Sequence, residues 1–415
     1  MDANARTRTT YRFESLRAVA AGILETASAT FLLLIAVRSF EAGALAKGLI
    51  AAGSGVGYLL SPLVVLVVEH ARVPVGRAAS RLAMAGAVAL AVATVVAWVP
   101  VFVLASVIAM AAAGSLIPLL TQIYQDNYPE QERGRFFSRT FMIRILSAAV
   151  FSWIAGAMLA VDMGNFRLVM AIFAASLAFS AWCLSRIPSS PLHQSGDRHP
   201  LRAFRSVAHD RVFRVTLVSW MFMGFANLMM LPLRVEYLAN PAYGLALAPD
   251  MVALLTGVVP NLARLVISPL WGWLFDRANF FVLRMALNAG FAVGIVSFFT
   301  SDSMVGLMLS AITFGISTAG GDVAWSLWVT KVAPPARVAD YMSVHTALTG
   351  ARALVAPMLA FALVARWSMV SMGWVSAASI IAATLLLIPE ARRGGLSRSN
   401  AAPITPPVPA DEGEA

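Results

Sequence analysis

The chain holds a single cysteine, Cys183, in 415 residues. No internal disulfide can form and no cysteine-based zinc site exists, which excludes a secreted disulfide scaffold. Charge is scarce too: Asp, Glu, Lys and Arg make up 13% of the residues, where a soluble domain carries about 25%. The five histidines, His70, His193, His199, His209 and His345, have no metal-ligand spacing. No serine has a histidine and an acid placed near it for nucleophilic work. No Gly-x-x-x-x-Gly-Lys-Ser/Thr loop is present, so ATP is not the expected driver. Neither an enzyme nor a bound cofactor or metal is expected. What is abundant is apolar: 59% of the residues, with a mean hydropathy of +0.76. Such a chain has too little polar surface to cover a soluble fold. It reads as an all-α integral membrane protein.

A helix needs roughly 20 apolar residues to cross the hydrocarbon of a bilayer. Twelve stretches qualify, at about 16–38, 43–68, 79–98, 100–124, 138–160, 166–187, 212–236, 249–275, 280–300, 304–330, 340–364 and 367–389. Period-two alternation is absent, which excludes a barrel. Glu25 inside the first, 23-residue span marks a retained helix rather than a signal peptide. With the N-terminus inside, the inner segments hold 23 Lys and Arg and the outer segments five. That bias places both termini in the cytoplasm and accounts for the net charge of +10 without nucleic acid. Arg-rich, Lys-poor usage leans towards a bacterial inner membrane, and a monomer is expected.

The domain plan is a cytoplasmic N-terminus at 1–15, a six-helix bundle at 16–187, a cytoplasmic loop at 188–211, a second bundle at 212–389 and a disordered tail at 390–415. In the central loop Leu201, Phe204, Val207 and Ala208 fall on one face and Arg202, Arg205 and His209 on others. The pattern fits either a short amphipathic helix on the inner leaflet or a solvated linker.

The two bundles echo each other. SPLVVLVVEHARVPVGR at 61–77 and SPLWGWLFDRANFFVLR at 268–284 share Ser, Pro, Leu, Ala, Val and Arg at an offset of 207. Glu69 matches Asp276, and His70 matches Arg277. A weaker echo joins YPEQERGRFFS (128–138) to APPARVADYMS (333–343). Two parallel six-span halves related by an axis along the membrane normal are a transporter architecture.

On these features the chain resembles the major facilitator superfamily over about residues 12–390. The resemblance rests on the 6+6 layout, the basic central loop and the acid-plus-base loops after spans two and eight. That family's loop reads Gly-x-x-x-Asp-Arg/Lys-x-Gly-Arg/Lys-Arg/Lys. The second-half copy keeps Gly272, Asp276 and Arg277 but loses the second Gly, and retains Arg284 nearby. The first-half copy, Val65, Glu69 and His70, is degenerate. The Gly-x-x-x-Gly-Pro signature of some drug antiporters is missing from span five. The resemblance implies two pseudo-symmetric six-helix bundles, with spans 1, 2, 4, 5, 7, 8, 10 and 11 lining a central cavity. It further implies a cytoplasmic gate in which loop acids bridge the halves. The candidates are Glu69, Arg77, Gly272, Asp276, Arg277 and Arg284, with Arg133 and Arg337 from the basic loops. The plain alternative is charge anchoring at the membrane surface.

Charges within spans are costly and mark function by default. Glu25, Arg144, Arg264, Asp322 and Arg352 come from five different helices, all cavity-lining under the resemblance. Similar depth favours Glu25 with Arg144, and neighbouring spans favour Asp322 with Arg352. Arg264 is then left over at the midplane. Either it meets an anionic group of the solute, with Arg352 as a second contact, or all three arginines are structural. Glu25, Asp322 and His345 are the candidate proton carriers. A solute that competes for an arginine would release an acid to take up a proton. Gln122, Tyr124, Asn227, Asn261 and Trp325 are further substrate contacts, and Trp325 shares a helix face with Asp322. The expected function is secondary transport of a small organic solute of anionic character, coupled to protons. Efflux of lipophilic or cationic compounds is the alternative, and a non-transporting membrane sensor on the same fold the third.

Overall fold

The computed structural model describes residues 3–96, 98–129, 132–192, 210–333 and 338–393. Twelve helices among them are long and apolar enough to span a membrane. We number them α1 to α12. Helix α1 is built from Ala3–Thr26, a π-helical stretch Ala27–Phe31 and Leu32–Arg38. Then follow α2 (Ala44–Ala71), α3 (Val75–Val95), α4 (Val99–Asn127), α5 (Arg133–Val161) and α6 (Phe166–Arg186). The second half has α7 (Arg211–Ala239), then α8, composed of Pro249–Ala253, a π-helical stretch Leu254–Val258 and Val259–Arg277. It continues with α9 (Phe280–Thr300), α10 (Met304–Val332), α11 (Val338–Leu363) and α12 (Met369–Leu385).

Most boundaries shift by a few residues from the sequence expectation, and three of the shifts bear on polar contacts or helix starts. Helix α1 starts at Ala3 rather than 16, because Thr10 and Glu14 are buried against the α4 end and hold the polar turns in place. Helix α5 starts at Arg133 rather than 138. The tail does not become irregular at 390: Ile388–Arg392 forms a short helix whose Glu390 is buried and bonds Arg393 at 3.1 Å. The amphipathic stretch 201–209 and the tail from 394 onward lie outside the described residues.

The repeat seen in the sequence is a repeat of packing. In the first half α2 packs on α4, α3 on α4 and α6, and α1 on α5 and α6. Adding six to every number gives the packing of the second half. Each bundle therefore buries its own apolar faces, with small residues and prolines where helices approach or bend.

The halves meet at the end of the molecule away from the chain termini. There α2 packs along α11, and α5 along α8. Gly55 makes the first contact possible: a Cβ at that position would lie 2.6 Å from the carbonyl carbon of Ala353. Gly156 does the same for α5, where a Cβ would come within 2.5 Å of Ala253. Thr30 and Thr256, one in each π-helical stretch, share a buried hydrogen bond of 2.9 Å. A π-turn widens the helix locally, and here the two widened turns of α1 and α8 face each other. Towards the terminal face the contact is lost. The α2 stripe that starts at Gly48, Gly55 and Leu59 continues as Pro62, Leu66 and His70, and these are exposed. The molecule is thus closed at the far end and open at the terminal face.

Candidate functional site

Four charged side chains from four helices form one chain across the interface of the halves. Arg144 (α5) donates from Nε to Glu25 Oε2 (α1) at 2.6 Å. Arg264 (α8) donates from Nη1 to Glu25 Oε1 at 2.5 Å and from Nε to Asp322 Oδ2 (α10) at 2.6 Å. The order is Arg144, Glu25, Arg264, Asp322, with alternating sign. At 1.5 Å per residue, Arg144, Arg264 and Asp322 sit roughly 15–20 Å from the terminal-face ends of their helices. Asn261, one turn before Arg264, lends its Oδ1 to Arg264 at 3.3 Å. The Phe141 ring lies under both guanidiniums, 5.1 Å from Arg264 and 5.7 Å from Arg144. Arg264 is the most enclosed member, with 7% of its side chain exposed, and Arg144 the least, with 41%. Charges this deep are costly unless paired, and here two acids balance two bases.

The expected partners change in part. Arg144 is with Glu25, but Asp322 is with Arg264, not Arg352, and Arg264 is not left over. Arg352 points into the second bundle instead. Its Nη1 donates to the Trp220 carbonyl and its Nη2 reaches Thr349 Oγ1 at 3.3 Å. Gly224 leaves the room for this guanidinium, since a Cβ there would collide with it. His345 lies in the same region, buried among the rings of Trp220, Trp325 and Trp328 at 5.4, 5.4 and 5.2 Å. No hydrogen bond joins it to Glu25 or Asp322, its fellow candidate proton carriers, among the described residues, and Trp325, three residues from Asp322, packs on it. Arg284, expected at the terminal-face gate, is fully buried with its guanidinium 3.4 Å from the centre of the Trp220 ring. None of its three nitrogens has an acceptor among the described residues. The reason is helical phase: Arg284 is one turn inside α9, on the side that faces α7.

Other expected contacts fall at the terminal face. Tyr124 donates to Glu14 Oε1 at 2.5 Å, and Glu14 accepts from Arg17 Nε at 2.7 Å. This triad ties α1 to α4 within the first half. Gln122 bonds Asp126 at 2.7 Å. Both line a cavity of about 480 Å³ at the terminal face, together with Arg6, Glu69 and Asn127. Neither Gln122 nor Tyr124 is at the midplane, because α4 presents them roughly 5–8 Å from its terminal-face end, well short of the depth of the charge chain. Asn227 on α7 has a buried Oδ1 without a partner among the described residues. Arg77 is exposed, and Arg277 stacks on Trp273 at 4.9 Å. Gly272 has open space around its Cα. The side chains of Arg133 and Asp276, and all of Arg337, lie outside the described residues.

The far end carries a lock that sequence reasoning misses. Lys47 (α2) donates to Glu236 Oε1 (α7) at 2.5 Å, both buried, and Asn240 Nδ2 donates to the same oxygen at 2.7 Å. Arg38 donates to the Leu247 carbonyl at 2.8 Å. A signal is present, since Lys47 and Glu236 both fall inside the spans drawn from the sequence. Their places at the ends of those spans keep them out of a tally of intramembrane charge.

Comparison with known proteins agrees with this architecture. The family model described as Major Facilitator Superfamily matches residues 16–350. The chain belongs to the major facilitator superfamily. A search of curated protein sequences finds no match. Among solved structures, a point mutant of the nucleoside transporter NupG superposes with a TM-score of 0.75 at 14% identity, covering 92% of this chain and 99% of that one. A D-xylose-proton symporter gives 0.66 at 16% identity, over 93% and 96%. The human organic anion transporter MFSD10 gives 0.65 at 14% identity, over 93% and 100%. At these identities the likeness concerns the fold. As a superfamily member with twelve spanning helices, the chain is an integral membrane transporter.

Proposed function

We propose that this transporter moves a small organic solute by alternating access and couples the movement to protons through the Arg144–Glu25–Arg264–Asp322 chain. The observation that carries the reading is the position of that chain: it joins the two halves deep within the spans, on the side where the halves part towards the terminal face. Given the 23-to-5 distribution of basic residues, that face is cytoplasmic and the conformation inward-open, in a bacterial inner membrane. The far-end contacts at Gly55, Gly156 and Lys47–Glu236 would then part as the terminal face closes.

Recognition of an anionic group falls to Arg144, the more exposed of the two guanidiniums in the chain. A solute carboxylate arriving there competes with Glu25 for the guanidinium. The carboxyl so released takes up a proton, which links the two movements. The proton-symporting and organic-anion-transporting neighbours support this reading by analogy of fold only. A second reading, efflux of cationic compounds, is favoured by Asp322, whose side chain is 30% exposed and has one oxygen with no bond among the described residues.

The test is flux into proteoliposomes with an imposed pH gradient. The panel would contain organic anions, sugars, nucleosides, amino acids and lipophilic cations. The expected result is accumulation that a protonophore abolishes. Glu25→Gln or Asp322→Asn should keep solute exchange at equal pH while losing gradient-driven accumulation. Accumulation that ignores the protonophore would end the proton reading, and absence of flux for the whole panel would end the transport reading.

A further inference from the structure

The charge chain has two ends, and they are of opposite sign. Its inner members are satisfied: both oxygens of Glu25 accept a guanidinium hydrogen bond, and Arg264 spends Nε and Nη1 on the two acids. Its outer members are not. Arg144 commits only Nε, which leaves its two terminal nitrogens without a hydrogen bond among the described residues. Asp322 commits only Oδ2. Exposure follows the same order, with 41% and 30% for the side chains of Arg144 and Asp322 against 18% and 7% for Glu25 and Arg264. The interface of the halves thus presents one planar donor fork from the first half and one carboxylate edge from the second. One aromatic ring lies against both bases: Phe141 sits beneath the guanidiniums of Arg144 and Arg264.

The charge count narrows what fits. Two acids and two bases leave the site neutral. A singly charged solute would bring a net charge into a low-dielectric site unless a proton or another ion came with it. A solute carrying one charge of each sign adds none, and it can satisfy both open ends at once.

We propose that the transported solute is a zwitterion, with its carboxylate on the Arg144 guanidinium and its ammonium on the Asp322 carboxylate. The assignment rests on the transport reading above and deepens it. Because Arg144 belongs to α5 and Asp322 to α10, the bound solute ties the two halves together through the open ends of the existing chain. The fork of Arg144 suits a carboxylate held by two parallel hydrogen bonds, and Asp322 offers the ammonium a charge-assisted acceptor. Occupancy then draws the halves together at the terminal face, opposite the contact at Gly55 and Gly156.

The experiment is a ruler of ω-amino acids on the purified full-length protein in detergent at pH 7. Glycine, β-alanine, 4-aminobutyrate, 5-aminopentanoate and 6-aminohexanoate would be titrated by calorimetry, alongside hexanoate and hexylamine, which keep one charge each. Under the proposal affinity peaks at one chain length, whose value reads the span between Arg144 and Asp322. The best zwitterion binds at least tenfold tighter than either singly charged compound. In Arg144→Gln the advantage over hexylamine disappears, and in Asp322→Asn the advantage over hexanoate disappears, while each variant keeps the elution profile of the parent. The wild-type series decides the matter even where a variant fails to fold. Hexanoate binding as tightly as the best zwitterion overturns the proposal in favour of an anion site, and hexylamine doing so overturns it in favour of a cation site. Absence of binding at every length also overturns it. Each of those outcomes leaves the transport reading standing if the proteoliposome panel shows flux, whereas a silent panel ends both.

Discussion

Replacing Lys47 by Met would test whether the far end is held shut by a buried ion pair. In the closed arrangement Glu236 is 1% exposed and pairs with Lys47 at 2.5 Å. Its other oxygen has no partner among the described residues, and Asn240 supplies one neutral hydrogen bond to the shared oxygen. Lys47→Met keeps an apolar stem and removes the charge, including the ammonium that lies 5.4 Å from the centre of the Phe361 ring. A buried carboxylate stripped of its cation costs about 3–5 kcal/mol. The Asn240 bond puts this case at the low end, about 3 kcal/mol. That cost is felt only while the far end is closed, because opening lets water reach Glu236. At about 1.36 kcal/mol per decade the ratio of open to closed far end should rise on the order of 100-fold. Spin labels at Leu45→Cys and Val305→Cys, both exposed at the far end, in a Cys183→Ala background would read the change as a longer inter-half distance. Adding Glu236→Gln to Lys47→Met should restore the short distance, since a neutral pair carries no such penalty. An unchanged distance distribution in Lys47→Met, or no restoration by the second change, would refute the reasoning.

Arg264→Lys should cut transport by about 100-fold and lower the melting temperature, because one ammonium cannot serve Glu25 and Asp322 with the geometry of a fork; wild-type flux would refute it. Gly55→Val should reduce uptake more than roughly tenfold while the protein still elutes as the parent does, because the new side chain drives α2 off Ala353 and blocks far-end closure; spin-label distances check it directly. Arg284→Met should leave the fold intact and raise the melting temperature, since an apolar side chain of similar length replaces a buried guanidinium with no acceptor among the described residues, a change worth about 1–4 kcal/mol in comparable cases. A fall in stability would mean that the stacking of Arg284 on Trp220 outweighs its desolvation.

The intramembrane charges are legible in the sequence as a set but not as a network. Glu25, Arg144, Arg264, Asp322 and Arg352 stand out because charge is rare in apolar runs. Depth along each helix, which the sequence supplies, ranks Arg264 and Arg352 as equivalents. Direction around each helix separates them: Arg264 faces Glu25 across the interface of the halves and Arg352 faces Trp220 inside the second bundle. Arg284 makes the same point, since residue count alone puts it at the membrane surface while helical phase turns it into the core. Lys47 and Glu236 are easily passed over because they stand at the ends of apolar runs, where a charge is ordinarily solvated.

Twelve spans, their 6+6 grouping, the superfamily and the helices that carry charge were all determined by the sequence itself. These are local or periodic properties: an apolar run of sufficient length must cross the bilayer as a helix, because no water is there to satisfy its backbone. Which charge meets which was decided only by the tertiary structure. A pairing depends on helix rotation, tilt and the close approaches allowed at Gly55, Gly156 and Gly224, and each is set by packing over tens of residues. The same packing decides that the far end is closed and the terminal face open, because the two arrangements share one sequence and differ only in which faces of the two bundles touch.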